Sequence, residues 1–349
     1  MEQPASAAPA MNLPPRLHGL QDLRAMLDPA TPILVLVDPV IGEPAPASDI
    51  SAEDNPDLQA EREAAWQRPV ARIELAERVR LAPHQHPYLV ELQGLDDPLL
   101  EFTLDLAHAE RAAASEGGLD GAGAAAHRIG GWLQSGMNLP DLAKVLVPMM
   151  DVNTDARTTA TYLRWPDRRV LSLLRHVVGD ARITCRFGRL NRWAYLDARG
   201  RVALLRSAGE DVVPLRLGRD EWARLSQGEA LHRTMAQWLG EAARRGAHPP
   251  DDRNALQLYA PVCEAVAAAQ AAARRWPHRF TRPMDQAAWA VLSLVHPEMA
   301  HNEAVHALLQ EAGSTEDPPE PLRYLHPDIS TLLRAAKPAV PALSPRARR

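Results

Sequence analysis

The sequence predicts an α/β class of fold: an N-terminal α/β lobe built on a mixed sheet, followed by a C-terminal all-helical lobe. Three observations carry this. The runs ILVLV at 33–37 and YLVEL at 88–92 are β-branched or aromatic, are bounded by Pro, Asp and Gly, and read as strands. Up to about residue 207, strand-like and helix-like apolar patterns alternate along the chain. Beyond Arg219 the apolar residues recur only at helical spacing.

Taken in order, residues 1–13 are rich in Ala and Pro and are expected to be disordered. Leu20 to Leu27 can form a short helix closed by Asp28-Pro29. ILVLV lacks alternation and therefore reads as a strand buried on both faces. A loop at 43–48 precedes helical composition at 57–66, a weak strand at 71–75, the YLVEL strand, and a helix at 99–113. Residues 117–126 are a flexible Gly/Ala stretch. Ile129 to Leu133 then fits a strand, and Asn138 is placed as an N-cap with Pro140 in the first turn and Asp141 near the helix N-terminus. Pro148 should end or kink that helix.

Residues 158–165 are rich in β-branched and aromatic side chains, and Pro166 holds Trp165 extended. The next helix places Val170, Leu171, Leu174 and Val177 on one side. The segments 192–196 and 202–206 flank Asp197-Ala198-Arg199-Gly200, a hairpin signal. Helical stripes follow at Leu231/Met235/Trp238, Leu256/Tyr259/Cys263/Val266, Met284/Ala287/Val291/Val295 and Val305/Leu308/Leu309, the last behind an Asn302 cap. The segment after Gly313 is rich in Pro and acid, and SPRARR reads as a tail. The expected organisation is a lead-in at 1–28, an α/β domain at 29–207, a helical lobe at 208–313, and a Pro-rich segment and tail at 314–349.

Bulk properties narrow the function. A chain of 349 residues can bury a sizeable core, and 46% hydrophobic with 24% charged residues is ordinary for a soluble globular protein. A net charge of −5 argues against nucleic-acid binding, because phosphate contacts need a positive surface. Lys144 and Lys337 are the only lysines, a bias that fits genomic base composition better than function. Cys185 and Cys263 are too few and too distant for a disulfide framework or a zinc set, so a reducing cytoplasm is the default. Residues 1–17 lack the basic start and apolar core of a secretory signal, and the run at 33–37 is far too short for membrane insertion.

Candidate chemistry is sparse. His296 and His301 resemble a zinc-binding pair, but a spacing of five puts them about 140° apart on a helix. Pro297 and Asn302 point instead to a helix junction. His84-Gln85-His86 offers two ligands if extended and has no supporting third, so a solvated loop is preferred. Residues 118–123 contain glycines without the dinucleotide-binding order, and Leu133 removes Ser135 from a nucleophile elbow. Asp38, Glu91 and Arg164, each near a strand end, could share a ligand crevice if the sheet were parallel. Trp222, Trp238, Trp276 and Trp289 lie in the helical half, where aromatic side chains more often fill the core. Trp is nevertheless enriched at binding hot spots, so these four are the candidate partner interface.

Residues 129–177, with RWAYLDARGRVALL at 192–205, resemble the DUF4123 family, adaptor or chaperone proteins of the bacterial type VI secretion system. The matching pattern is LVLVD ending at Asp38, YLVEL at 88–92, GWLQS at 131–135, and an R-x-x-D-x-R-v-l motif at Arg164, Asp167, Arg169, Val170 and Leu171. A strand containing Trp193 follows. The likeness covers roughly residues 30–205 and rests on the order of several weak motifs. It implies no enzymatic activity and no cofactor. It implies cytoplasmic binding of a toxic effector and its loading onto the VgrG spike. On the residues themselves, Arg164, Asp167, Arg169 and Trp193 read as structural, with Asp167 placed where a carboxylate favours a helix N-terminus. Two other readings stand beside this one: a small-molecule-binding α/β protein or enzyme, and a helical scaffold in another cytosolic assembly.

Overall fold

In a computed structural model, the described residues are 19–44, 47, 49–50, 55–117, 127–155, 157–209, 213–245, 255–311 and 320–335. The expected disorder at 1–13, most of the Gly/Ala stretch at 117–126 and the SPRARR tail fall outside them. The α/β lobe contains β1 (Ile33–Val37), β2 (Val70–Arg72), β3 (Tyr88–Leu92), β4 (Ile129–Ser135), β7 (Leu190–Leu196) and β8 (Val202–Arg206). They form one sheet in the order β2-β3-β1-β4-β7-β8, and every neighbouring pair is antiparallel. A second small sheet joins β5 (Asp151–Thr154) to β6 (Thr161–Tyr162) antiparallel and to β9 (Arg216–Leu217) parallel.

Helices cover both faces of the large sheet. Ile33, Val35, Tyr88, Val90, Trp132 and Ala194 point to one side, where α1 (Leu20–Met26), α2 (Leu58–Trp66) and α3 (Pro98–Glu116) complete a core. Leu34, Leu36, Leu89, Leu133, Trp193 and Tyr195 point to the other, against α4 (Leu139–Met149) and α5 (Arg168–Val178). Period-two alternation produces this split, and each fully buried large apolar side chain contributes roughly 1.5–3 kcal/mol. All of β1 is buried, as its unbroken apolar run requires. That run reports coverage on two faces and carries no information on strand direction.

Local signals hold where side chains bond to nearby backbone. Asn138 caps α4 by accepting from the Asp141 N–H at 2.9 Å, and α4 ends one residue after Pro148. Asp197 accepts from the N–H groups of Arg199 and Arg201 at 2.8 and 3.0 Å, closing the β7–β8 hairpin with Gly200 at φ +79°. Gly130 lies beside an irregularity in the β1–β4 pairing, where a β-carbon would meet the Pro166 carbonyl oxygen at 2.4 Å.

Several expectations are corrected. Residues 158–165 yield only the two-residue β6. The Trp165 N–H donates to Leu163 O at 2.8 Å and the Asp167 N–H to Arg164 O at 3.0 Å, so the chain turns where β propensity favoured extension. β5 and the short α6 (Asp180–Thr184) were not anticipated. The α/β lobe does not stop at 207, because Leu215 and Leu217 are buried in its core. Nor is the segment before residue 29 only a lead-in, since Leu23 and Leu27 are buried beneath the sheet.

The helical lobe consists of α7 (Arg219–Leu225), α8 (Gly228–Arg244), α9 (Tyr259–Arg275), α10 (Pro283–Val295), α11 (Glu303–Gln310) and α12 (Leu322–Ala335). α12 corrects the reading of 314–349 as a Pro-rich segment and tail: Leu322, Leu325, Ile329 and Leu333 are buried in the helical core. It is fastened at its start by Asp285, fully buried at the head of α10. That carboxylate accepts from the Thr281 and Arg282 N–H groups at 2.9 Å and from the Arg323 guanidinium at 3.0 Å. Arg279 donates to the carbonyls of Leu308, Glu311 and Glu320, each at 2.9 Å, tying the end of α11 to the residues just before α12. The two lobes meet through α8, which packs on α3 so closely that a β-carbon on Gly240 would lie 2.3 Å from the Ser115 carbonyl oxygen.

Candidate functional site

The residues of the R-x-x-D-x-R motif converge at the head of α5. Asp167 caps that helix, accepting from the Arg169 N–H at 3.0 Å, and its two oxygens hold the Arg169 guanidinium at 2.8–3.2 Å. Burial alone would raise the Asp167 carboxyl, but the charge and hydrogen bonds of the Arg169 guanidinium hold it well below the usual carboxylate range. Arg164 donates to Asp38 at 2.5 Å, tying the end of β1 to the turn before α5. Burial pushes the Asp38 carboxyl up, and Arg164 partly offsets this. Trp193 is fully buried, donates to Gly130 O at 3.3 Å, and packs against Trp165 and Phe187 at 6.1 and 6.0 Å between centroids. The structural reading of all four motif residues therefore has direct partners in the fold.

Arg168, which the motif passes over, binds more of the molecule than either of its neighbours. It is 3% exposed and donates to Ala107 O at 2.8 Å and Ile129 O at 2.9 Å, with Glu110 at 3.4 Å. Glu110 also receives the Arg128 guanidinium at 2.9 Å. One buried side chain thus links α3, β4 and α5. Carbonyl acceptors and a carboxylate give this cation the partners that burial demands.

Behind this joint lies a cavity of about 50 Å³, bounded by α3, α5, α8, α9 and the β7–β8 hairpin. Its polar wall carries Arg111, His127, Arg168, Arg169, Asp197 and His232; Met235, Ala236 and Leu239 of α8 form much of its apolar wall. Burial, reinforced by Arg168 and Arg169, lowers His127 to about 2. Burial and Arg169 lower His232 to about 4, so both imidazoles are neutral at neutral pH. His232 Nε2 lies 3.2 Å from the Tyr259 hydroxyl. Among the described residues, His127, 7% exposed, has no hydrogen-bond partner for Nδ1, and Arg111 has none for Nε. Asp197 and Glu116 act on Arg111 only through their charge. A second cleft, which shares Arg169 and His232 with the first, is also lined by Arg164, Asp167, Arg233 and Glu229. The arrangement can bind and orient a polar group. The lining offers neutral imidazoles and guanidinium groups rather than an activated nucleophile.

Other expected candidates are dispersed. Glu91 pairs in register with Leu34, at the opposite end of β1 from Asp38, so the crevice imagined for Asp38, Glu91 and Arg164 does not form. Antiparallel pairing sends the C-terminal ends of neighbouring strands to opposite edges. Residues 83–85 form a 3₁₀ turn rather than an extended segment, and His86 is buried rather than solvated. His296 ends α10 and Asn302 caps α11 by accepting from the Val305 N–H at 3.1 Å, a helix junction as expected. Ser135 ends β4 and donates to Arg189 O at 2.9 Å. Among the described residues no group of three or more His, Cys, Asp or Glu side chains could hold a metal ion, and no helix is long and apolar enough to cross a membrane.

The expected Trp interface is corrected in half its members. Trp276 and Trp289 are 5% and 4% exposed and pack against each other at 5.9 Å in the helical core, so neither can meet a partner. Trp222 and Trp238 are half-buried; the Arg157 guanidinium lies over the Trp222 ring at 5.3 Å. Sequence reasoning missed Glu110, Arg111, His127, Arg168, Asp197 and His232. Arg168 had a local clue in its place inside the motif, and Asp197 was legible only as a turn residue. Comparison with family models, curated proteins and solved structures finds no match to this chain.

Proposed function

We propose that this chain is a non-enzymatic adaptor that binds a toxic effector in the cytoplasm and helps load it onto the VgrG spike of a type VI secretion system. One observation supports the reading. The segments that carry the DUF4123 resemblance are scattered over 30–205 in sequence, yet they occupy β3, β1, β4, β7 and β8, five successive strands of one sheet, and the head of α5. In this reading the sheet and its Arg164–Asp167–Arg169 joint are the scaffold, and the half-buried Trp222 and Trp238 remain candidates for the contact surface. Co-expression with the products of adjacent genes is expected to yield a stable complex with an effector or a spike protein. Purification of this chain alone from such co-expressions would overturn the adaptor reading.

A further inference from the structure

We propose that the cavity between α3, α8 and the β7–β8 hairpin is a binding site for a short-chain aliphatic monocarboxylate, with Arg111 and His127 receiving the carboxylate. The argument begins with unmatched polar groups. His127 Nδ1 is buried without a partner, and so is Arg111 Nε. Buried polar atoms in native proteins nearly always bond to something, and two that do not, facing one cavity, call for a water, an ion or a ligand there. Both residues line the same cavity, on separate elements: Arg111 on α3 and His127 immediately before β4.

Charge selects the ligand class. Arg168 is matched by Glu110, and Arg169 by Asp167. Among the described residues, Arg111 is the one lining guanidinium with no carboxylate within ion-pairing distance. Asp197 spends its Oδ1 on the backbone N–H groups of its own hairpin. The wall therefore has one cation open to a charge-assisted bond, which suits a single carboxylate. A phosphate dianion would set its second charge against Asp197. Size and polarity narrow the class further. A cavity of about 50 Å³ accommodates a few non-hydrogen atoms, and Ala236, Met235 and Leu239 present an apolar wall suited to a short alkyl group.

The inference does not rest on the adaptor reading, and its test needs no protein partner. The full chain is titrated with propionate, with propionamide as its neutral counterpart and with inorganic phosphate, by ligand-observed NMR and thermal shift. Saturable binding of propionate is expected, with propionamide and phosphate each at least about tenfold weaker, the scale of one hydrogen bond to a charged group. Arg111→Ala is expected to weaken propionate about tenfold or more. Ala236→Phe, which fills the apolar wall and leaves the polar groups in place, is expected to abolish binding; it decides the matter if Arg111→Ala does not fold. Equal binding of propionamide, tighter binding of phosphate, or propionate affinity unchanged in Ala236→Phe would each overturn the proposal.

Discussion

Replacing Asp167 is the sharpest test of the joint between sheet and helix. Asp167→Ala removes an N-cap whose acceptor oxygen lies 3.0 Å from the Arg169 N–H, a loss of about 1 kcal/mol. It also leaves the Arg169 guanidinium without its two-oxygen partner. Stripping one member from a fully buried pair costs about 3–5 kcal/mol, but the Arg169 side chain is 22% exposed and can recruit water. A further loss of about 2 kcal/mol is therefore expected, for a total near 3 kcal/mol. Asp167→Asn keeps a capping oxygen but loses the charge and one of the two oxygens that accept from the Arg169 guanidinium, so it should fall in between, at about 2 kcal/mol. Urea denaturation followed by circular dichroism measures both. The pH dependence supplies an independent sign. The folded-state pKa is depressed, so the carboxylate's contribution is fully present above the unfolded value of about 4 and is lost as pH falls below it. The gap between wild type and Asp167→Asn should accordingly narrow between pH 6 and pH 3. Variants within about 0.5 kcal/mol of wild type, or a gap that widens on acidification, would refute the structural role assigned to this cluster.

Two further outcomes are expected. Gly240→Ala would gain about 1 kcal/mol at an exposed helical site, but here the new β-carbon meets the Ser115 carbonyl of α3 at 2.3 Å. Overpacking typically costs about 1–3 kcal/mol, so net destabilisation is expected, with faster hydrogen exchange in α3 and α8 where the lobes meet; a rise in stability would show that the helices separate freely. His232 is held to about 4 against an unfolded value near 6.5, so the unfolded chain binds the extra proton as pH falls. Its contribution is whole above about pH 6.5 and declines towards pH 4. His232→Gln should flatten the stability profile in that window, and an unchanged slope would contradict a buried neutral imidazole.

What could be read locally was read from particular residues. Asn138, the Asp197–Gly200 turn and the Pro148 helix end act within a few positions of themselves, so neighbouring sequence specifies them. The motif at 164–171 was likewise legible as a cap, because Asp167 and Arg169 are two residues apart. α12 escaped notice because Pro and acidic residues dominate the segment before it, while Leu322, Leu325, Ile329 and Leu333 already carried helical spacing. β6 failed for the opposite reason: β-branched composition promised a long strand, and the buried Trp165 with its turn shortened it.

By itself the sequence determined the order of an α/β lobe and a helical lobe, the two-sided burial of β1, and most caps and turns, because these depend on composition and on contacts within a few residues. The tertiary structure alone decided strand direction, since helices on both faces make an antiparallel strand as uniformly apolar as a parallel one. It also decided which tryptophans are core. Above all it brought Arg111, His127, Asp197 and His232 around one cavity. Those residues come from α3, the start of β4, the β7–β8 hairpin and α8, and no periodicity links them. Their meeting depends on how the helical lobe closes against α3, through contacts such as Gly240 on Ser115 that no local pattern encodes.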